Sequence, residues 1–285
     1  MQKADVAMYL SKSEQSGYAI YSPERDRHTE HRLSLMTALR RGVDDKEFVL
    51  DYQPIVELST GRVSAIEALL RWNHPAQGRL LPKDFIRLAE HTGLITPLTS
   101  FAVERSLADW VSAALVPPPF RIAVNLSPRS LNDPAFPGRV QRMLSARGAS
   151  PEWLALEITE NLIMSDPERS IKSLTELHDM GIRLILDDFG TGYSSLSYLR
   201  RFPVDELKID QSFVIGLADG EDEALVRSII GLAHNLKLRV VAEGVETENV
   251  RDRLISLGCD AVQGHYICRP ASASTISEWL KAAAI

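Results

Sequence analysis

Residues 184–199 read LILDDFGTGYSSLSYL. The apolar run Leu184–Leu186 has the character of a buried strand. It closes on two adjacent acids, Asp187 and Asp188, and a loop containing Gly190 and Gly192 follows at once. Adjacent residues on a regular strand point to opposite faces. For both carboxylates to serve one site, the strand must end there and the backbone must turn, which Gly190 and Gly192 permit.

Working outward, the same kind of apolar run recurs on either side. FVLDYQPIVEL (48–58) and RVSAIEALLRW (62–72) are joined by the short Ser59-Thr60-Gly61 turn, which predicts an antiparallel hairpin. Further runs lie at 120–128, 153–160, 182–190, 204–210, 238–246 and 259–264, making eight strand candidates. Helical patterns separate most of them. RSIKSLTELHDMG (169–181) is one, with Gly181 as its C-terminal cap, and EALVRSIIGLAHNL (223–236) is another. Strands alternating with helices predict a parallel sheet with right-handed crossovers. The expected fold is α/β, a modified TIM-like (β/α)8 barrel whose first strands form a hairpin.

Composition fits that reading. The chain has 285 residues, 45% hydrophobic and 25% charged, an ordinary globular balance. Net charge is −6 and no Lys/Arg block occurs, which argues against binding a nucleic-acid polymer through its backbone. The two cysteines, Cys259 and Cys268, form no CxxC pair and imply a reducing compartment. No apolar run reaches the roughly 18 residues of a membrane helix, and no signal-peptide pattern opens the chain. The expectation is a cytoplasmic protein without membrane contact.

The polar residues that close the apolar runs carry the functional signal. Glu67 lies in the second strand candidate, and Asn125, Glu157, Asp187 with Asp188, Lys208, Glu243 and Gln263 close the apolar runs of later ones. In a barrel those ends gather at the C-terminal rim, where active sites sit. One polar terminator would mean only a solvated loop or a helix cap. So many in register do not. Two carboxylates about 4 Å apart repel by roughly 4 kcal/mol at an effective dielectric of 20. Clustered acids must therefore take up protons or gain a counter-charge. The donors are oxygen-rich, with no His or Cys expected at the rim, which selects hard divalent ions such as Mg²⁺ or Mn²⁺ over Zn²⁺. Neighbouring acids feeding a paired-metal site suit in-line displacement at phosphorus.

EALLRW (67–72), VNLSP (124–128), EITE (157–160), DDFGTGYSSLSYL (187–199), LKID (207–210), EGVE (243–246) and QGHYICRP (263–270), in this order, resemble the EAL-domain family of cyclic di-GMP phosphodiesterases. The resemblance covers roughly residues 30–285. It implies a barrel with one antiparallel strand and hydrolysis of cyclic di-GMP to linear pGpG by a metal-activated water, using two Mg²⁺ or Mn²⁺ ions. Carried over by position, Glu67, Asn125, Glu157 and Asp187 resemble ligands of a first ion. Asp187, Asp188 and Glu243 resemble ligands of a second. Lys208 would hold or help deprotonate the attacking water; its cationic form suits holding better, unless burial depresses its pKa. Glu67, Asp187, Lys208 and Glu243 are thus the expected catalytic set. Gln53, Arg71, Asn125, Lys208 and Gln263 would meet the substrate, and Glu160 would anchor the loop after Asp188. A first-turn helix acid is an equally good account of Glu160. For Asp210, capping the helix that starts at Gln211 is preferred.

Residues 1–25 resemble the C-terminal end of a GGDEF diguanylate cyclase domain without its signature, so no cyclase activity is expected. Residues 26–45 read as a connecting helix with Leu33, Met36 and Leu39 on one side, and 46–285 as the phosphodiesterase barrel. The resemblance further implies a homodimer and upstream GGDEF or sensory domains in a longer parent protein. The main rival is a cyclic di-GMP receptor with little or no turnover. Retention of the whole ligand set and of the DDFGTG loop favours catalysis.

Overall fold

In this computed structural model the described residues are 23–111, 120–164, 166–190 and 199–282. They fall into two compact units: those up to Phe48 together with Trp72–Leu94, and Val49–Arg71 together with those from Ile95 onward. Strands are β1 (Phe48–Glu57), β2 (Val63–His74), β3 (Gly78–Leu80), β4 (Arg121–Asn125), β5 (Leu154–Thr159), β6 (Arg183–Phe189), β7 (Glu206–Ile209), β8 (Arg239–Ala242) and β9 (Ala261–Val262). Helices are α1 (Pro23–Asp44), α2 (Pro82–Thr92), α3 (Ile95–Val111), α4 (Pro128–Leu131), α5 (Phe136–Arg147), α6 (Glu160–Met164), α7 (Pro167–Asp179), α8 (Gln211–Gly216), α9 (Glu223–Asn235), α10 (Glu248–Leu257) and α11 (Ala273–Ala282).

In the larger unit the strands run in the order β1-β9-β8-β7-β6-β5-β4-β2, and β1 pairs with β2 to close the ring. β1 is antiparallel to β9, whereas β2 with β4 and all the following neighbours are parallel. This is the (β/α)8-type barrel with one antiparallel strand. The period of two along each strand sorts side chains into an outer face and a lumen. Outward residues such as Ile66, Ile122, Leu156, Leu184, Leu207 and Val240 join the main core beneath the helices. Two small separate clusters fill the lumen: Ile55, Ala65, Val241 and Ala261, and Ala123, Ala155 and Ile185.

The lumen floor explains the rim. Two residues up from Ala65, Ala123, Ala155, Ile185, Val241 and Ala261 stand Glu67, Asn125, Glu157, Asp187, Glu243 and Gln263. The same alternation places both sets on one face, apolar below and polar above.

The smaller unit holds α1, α2 and β3, with the last residues of β2 paired to β3. Phe48 stacks on Trp72, and both meet Phe85 edge-on. Trp72 Nε1 donates to Glu47 Oε2 at 2.7 Å. On α1 the expected Leu39 is buried, together with Leu35, which was not expected, while Met36 is only half-buried. β3 was not foreseen, because three residues of mixed polarity carry no periodic signal. Of residues 1–25, read as a GGDEF remnant, 1–22 lie outside the described residues, and the connecting helix already begins at Pro23. Among the described residues no helix is long and apolar enough to cross a membrane.

Candidate active site

β6 sets the geometry. Its pairing with β7 slips between Leu186 and Phe189, and Asp188 sits at φ +54, in the left-handed region. Its backbone N–H donates to Asp187 Oδ1 at 2.9 Å. The turn that lets two neighbouring acids share one site is therefore made at Asp188 itself, within the strand. Gly190, expected to permit the turn, follows at φ +99, and Gly192 lies outside the described residues. Aspartate tolerates this backbone because its short polar side chain bonds locally.

Lys208 occupies the middle of the rim. Its side chain is fully buried, with Nζ 2.5 Å from Glu243, 2.9 Å from Glu157, 3.2 Å from Glu67 and 3.7 Å from Asp187. Burial alone would push the ammonium pKa down. The facing carboxylates of Asp187, Glu157, Glu243 and Glu67 outweigh it and hold Lys208 well above the ordinary lysine range. Lys208 is a cation, and it is the internal counter-charge that the clustered acids require.

One lysine does not balance the acids. Burial raises the Glu157 carboxyl well above its usual range, and the charge of Glu67 adds to the effect. Asp187 is also raised, by burial first, with Lys208 opposing and Glu67 reinforcing. Burial and the charges of Asp187 and Asp210 push Asp188 up to about 6. Burial takes Glu243 to about 8 despite the opposing Lys208. Glu67 alone moves down, since Lys208 and the Gln263 amide overcome its burial.

The amides orient these acids. Asn125 Nδ2 donates to Glu67 Oε1 at 2.8 Å and to Glu157 Oε2 at 3.0 Å, which leaves its carbonyl oxygen as an available donor atom for a cation. Gln263 Nε2 donates to Glu67 Oε2 at 2.7 Å and to Gln53 Oε1 at 3.1 Å. Gln53 Nε2 donates in turn to the Cys268 carbonyl at 3.0 Å. Oxygen atoms of Asp187, Asp188 and Glu243 lie within 4.8 Å of one another, a spacing that suits a shared divalent cation.

The expected site residues thus converge at one rim, with two exceptions. Arg71 is buried, its Nε bound to Asp51 Oδ2 at 2.9 Å and its Nη1 to the Leu70 carbonyl, and it is not among the cleft-lining residues. Glu160 is buried at the start of α6, and among the described residues neither carboxylate oxygen finds a hydrogen-bond partner. The loop it was expected to anchor, 191–198, lies outside the described residues. Asp210 caps α8, its side chain accepting from the Ser212 N–H at 2.9 Å.

A cleft of about 270 Å³ opens over the acids, lined by Gln53, Glu67, Asp187, Glu243 and Gln263. Leu69, Gln211, Glu246 and His265 also line it and were not foreseen. The expectation of no histidine at the rim is corrected by His265, whose Nδ1 lies 3.8 Å from Glu246 Oε1. Gln211, Glu246 and His265 sit beyond strand ends, where no periodicity marks a side chain as facing the lumen, whereas Leu69 lies within β2 two residues on from Glu67, where period two pointed to it. The EGVE and QGHY runs were the available signal.

A closed barrel whose lumen is apolar below and carries five carboxylates above a buried lysine belongs to a class of oxygen-ligand, cation-dependent active sites. The EAL domain model matches residues 36–270, and the chain belongs to the EAL-domain family. A Caulobacter vibrioides signalling protein is 42% identical over 284 residues, covering 99% of this chain and 35% of that protein. The bifunctional diguanylate cyclase/cyclic di-GMP phosphodiesterase MucR of Pseudomonas aeruginosa is 38% identical over 281 residues, 97% of this chain and 41% of MucR. The solved MucR phosphodiesterase in complex with cyclic di-GMP superposes with a TM-score of 0.81 at 39% identity, covering 85% of this chain and 99% of that one. The chain spans well under half the length of both full-length relatives.

Proposed function

We propose that this chain hydrolyses one phosphodiester bond of cyclic di-GMP to give linear pGpG, with two bound Mg²⁺ or Mn²⁺ ions. The observation that carries the reading is the buried Lys208 ringed by four carboxylates beside the Asp187, Asp188 and Glu243 oxygen cluster. The similarity to the MucR phosphodiesterase complex names the substrate. The donor set fits such ions: Glu67, Asn125, Glu157 and Asp187 would hold one, and Asp187, Asp188 and Glu243 the other. Bound there, the ions would polarise the phosphoryl oxygens and make water a nucleophile at neutral pH.

The chain's own groups supply the rest. Lys208, held protonated by the carboxylates around it, suits a donor role better than that of a base; its N–H groups would orient the attacking water and fix those carboxylates. Water oxygen forms the new bond to phosphorus, the bond to the ribose 3′ oxygen breaks, and that oxygen takes up a proton. Gln263, whose side-chain oxygen has no donor among the described residues, and Gln53 are poised for the substrate side of the cleft. Arg71, fixed by Asp51, is assigned to a substrate phosphate, and Glu160 to the loop after Asp188.

Residues 1–25 are assigned to the end of an upstream GGDEF domain and 26–45 to the connection into the barrel. The greater length of the relatives and the bifunctional name of MucR support this. A cytoplasmic homodimer within a longer signalling protein completes the proposal. The test is incubation of the purified chain with cyclic di-GMP and Mg²⁺ or Mn²⁺, against an EDTA control, with nucleotides separated chromatographically. Metal-dependent pGpG is expected. Tight binding without product would make the chain a receptor instead.

A further inference from the structure

Two of the glycines at the rim are contact points. Gly190 follows Asp188 by two residues, and a Cβ there would stand 2.8 Å from Cε2 of Phe213. Gly244 follows Glu243 directly at φ +68, and a Cβ there would stand 2.5 Å from Gln211 Cβ and 3.3 Å from its Cα. Gln211 and Phe213 both belong to α8, which begins three residues after Lys208 and is capped by Asp210. α8 therefore lies wedged between the ends of β6 and β8. One of its side chains presses on the turn that carries Asp187 and Asp188, the other on the residue after Glu243.

We infer that Gln211 and Phe213 are positioning residues: through Gly244 and Gly190 they set the separation of Glu243 from the Asp187–Asp188 pair. The inference rests on reading those acids as the holders of a cation. Three carboxylates from two strands must keep their oxygens within a few ångströms for one ion to bind all of them. β6 and β8 are not neighbours, since β7 lies between them. Among the described residues, α8 lies in the gap above β7 and meets both ends. Glycine at 190 and 244 lets the two backbones close onto α8 without a side chain between. A larger residue at 244 would push Glu243 outward, and loss of the Phe213 ring would leave the β6 turn without its stop.

The test uses the whole chain and reads Mn²⁺ affinity by electron paramagnetic resonance of the free ion. Circular dichroism and the thermal midpoint monitor the fold, and kcat and KM for cyclic di-GMP are measured in parallel. Gly244→Ala should weaken Mn²⁺ binding by about tenfold or more, the range seen when groups that orient metal ligands are altered. Adding Gln211→Gly removes the obstructing Cβ and should restore most of that affinity. Adding Gln211→Ala keeps the Cβ and should restore none. The left-handed strain that a Cβ brings to position 244 is the same in both double variants, so it cannot mimic the difference.

Equal affinities for the two double variants would overturn the inference, as would wild-type affinity in folded Gly244→Ala. Should Gly244→Ala fail to fold, Phe213→Ala provides the second arm: a severalfold weaker Mn²⁺ affinity is expected, and an unchanged one overturns the inference. Binding of no Mn²⁺ by the wild-type chain also overturns it. Wild-type Mn²⁺ binding without turnover, with the rescue pattern intact, would retire the phosphodiesterase reading and leave the positioning role standing.

Discussion

Lys208 has four carboxylates within 3.7 Å of its Nζ and no exposed surface, so no solvent shares the task of neutralising it. Breaking such a network by removing one partner leaves uncompensated charge in a low-dielectric site. Lys208→Met should therefore lower kcat for cyclic di-GMP far more than it changes KM, because the water-orienting donors are lost while the substrate contacts remain. Steady-state kinetics at saturating Mn²⁺ decide this, and a change confined to KM would reassign Lys208 to binding. Glu67→Ala removes an acceptor of Lys208, Asn125 and Gln263 at once. It should cut turnover by about 10²–10³-fold, comparable to deleting one preorganised electrostatic element. Near-normal turnover in that variant would sink the assignment. Lys208 and Asn125 were legible because each ends an apolar run, and Glu67 as a lone acid inside one; together they pointed to one rim. The lysine's place as common partner of the acids was not legible: which strand ends lie side by side depends on the closure of the ring.

Among elements, β6 shows where local rules give way. Its apolar run, its acids and the glycines that permit a turn could be read, but a left-handed aspartate inside a strand has no signature. The lumen-facing alternation of β2, β4 and β5 was legible through period two. β8 and β9 are only four and two residues long, and they hand Glu243 and Gln263 to the loop just past the strand. α7 matched its expected end, with Gly181 at φ +94 one residue beyond the cap, its N–H bound to the His178 carbonyl. α8 is short, and its start depends on Asp210, which accepts from the Ser212 N–H and Oγ. Asp210→Ala should destabilise the protein by about 1 kcal/mol, as for other lost N-caps, read as a lower urea midpoint with unchanged slope. Because Asp210 also helps raise the Asp188 carboxyl, the variant should lower the pH at which Asp188 ionises. Carbon-13 NMR of that carboxyl resolves the two effects, and a stability loss without any change in the titration would leave Asp210 a cap alone.

The whole barrel stores a charge imbalance at one end. At the other, Arg239 pairs with Glu57 at 2.6 Å and faces the buried Glu206 at 3.6 Å, so opposite charges close that end. The rim has five carboxylates and one lysine, and its acids hold protons that an unfolded chain would release. Glu243 moves from 4.5 to about 8 and Asp188 from 3.8 to about 6. For an acid with a raised pKa, the folded state binds more protons than the unfolded one throughout the window between the two values. Stability then falls as pH rises across that window. In EDTA, the urea midpoint should therefore decline between about pH 5 and pH 8 through these groups. A divalent cation competes with the same protons, so Mn²⁺ affinity should rise over this range and level off above about pH 8. The gap between metal-loaded and metal-free midpoints should widen accordingly. Glu243→Gln carries no titrating group and should make the metal-free curve shallower across the whole Glu243 window, leaving Asp188 to contribute a decline only below about pH 6. Parallel urea titrations of both proteins at half-unit pH intervals, with and without Mn²⁺, measure all of this. A metal-free midpoint that climbs from pH 6 to 8, or one that Glu243→Gln leaves unaltered, would show that the rim acids are already ionised in the folded barrel, with Lys208 alone sufficient to balance them.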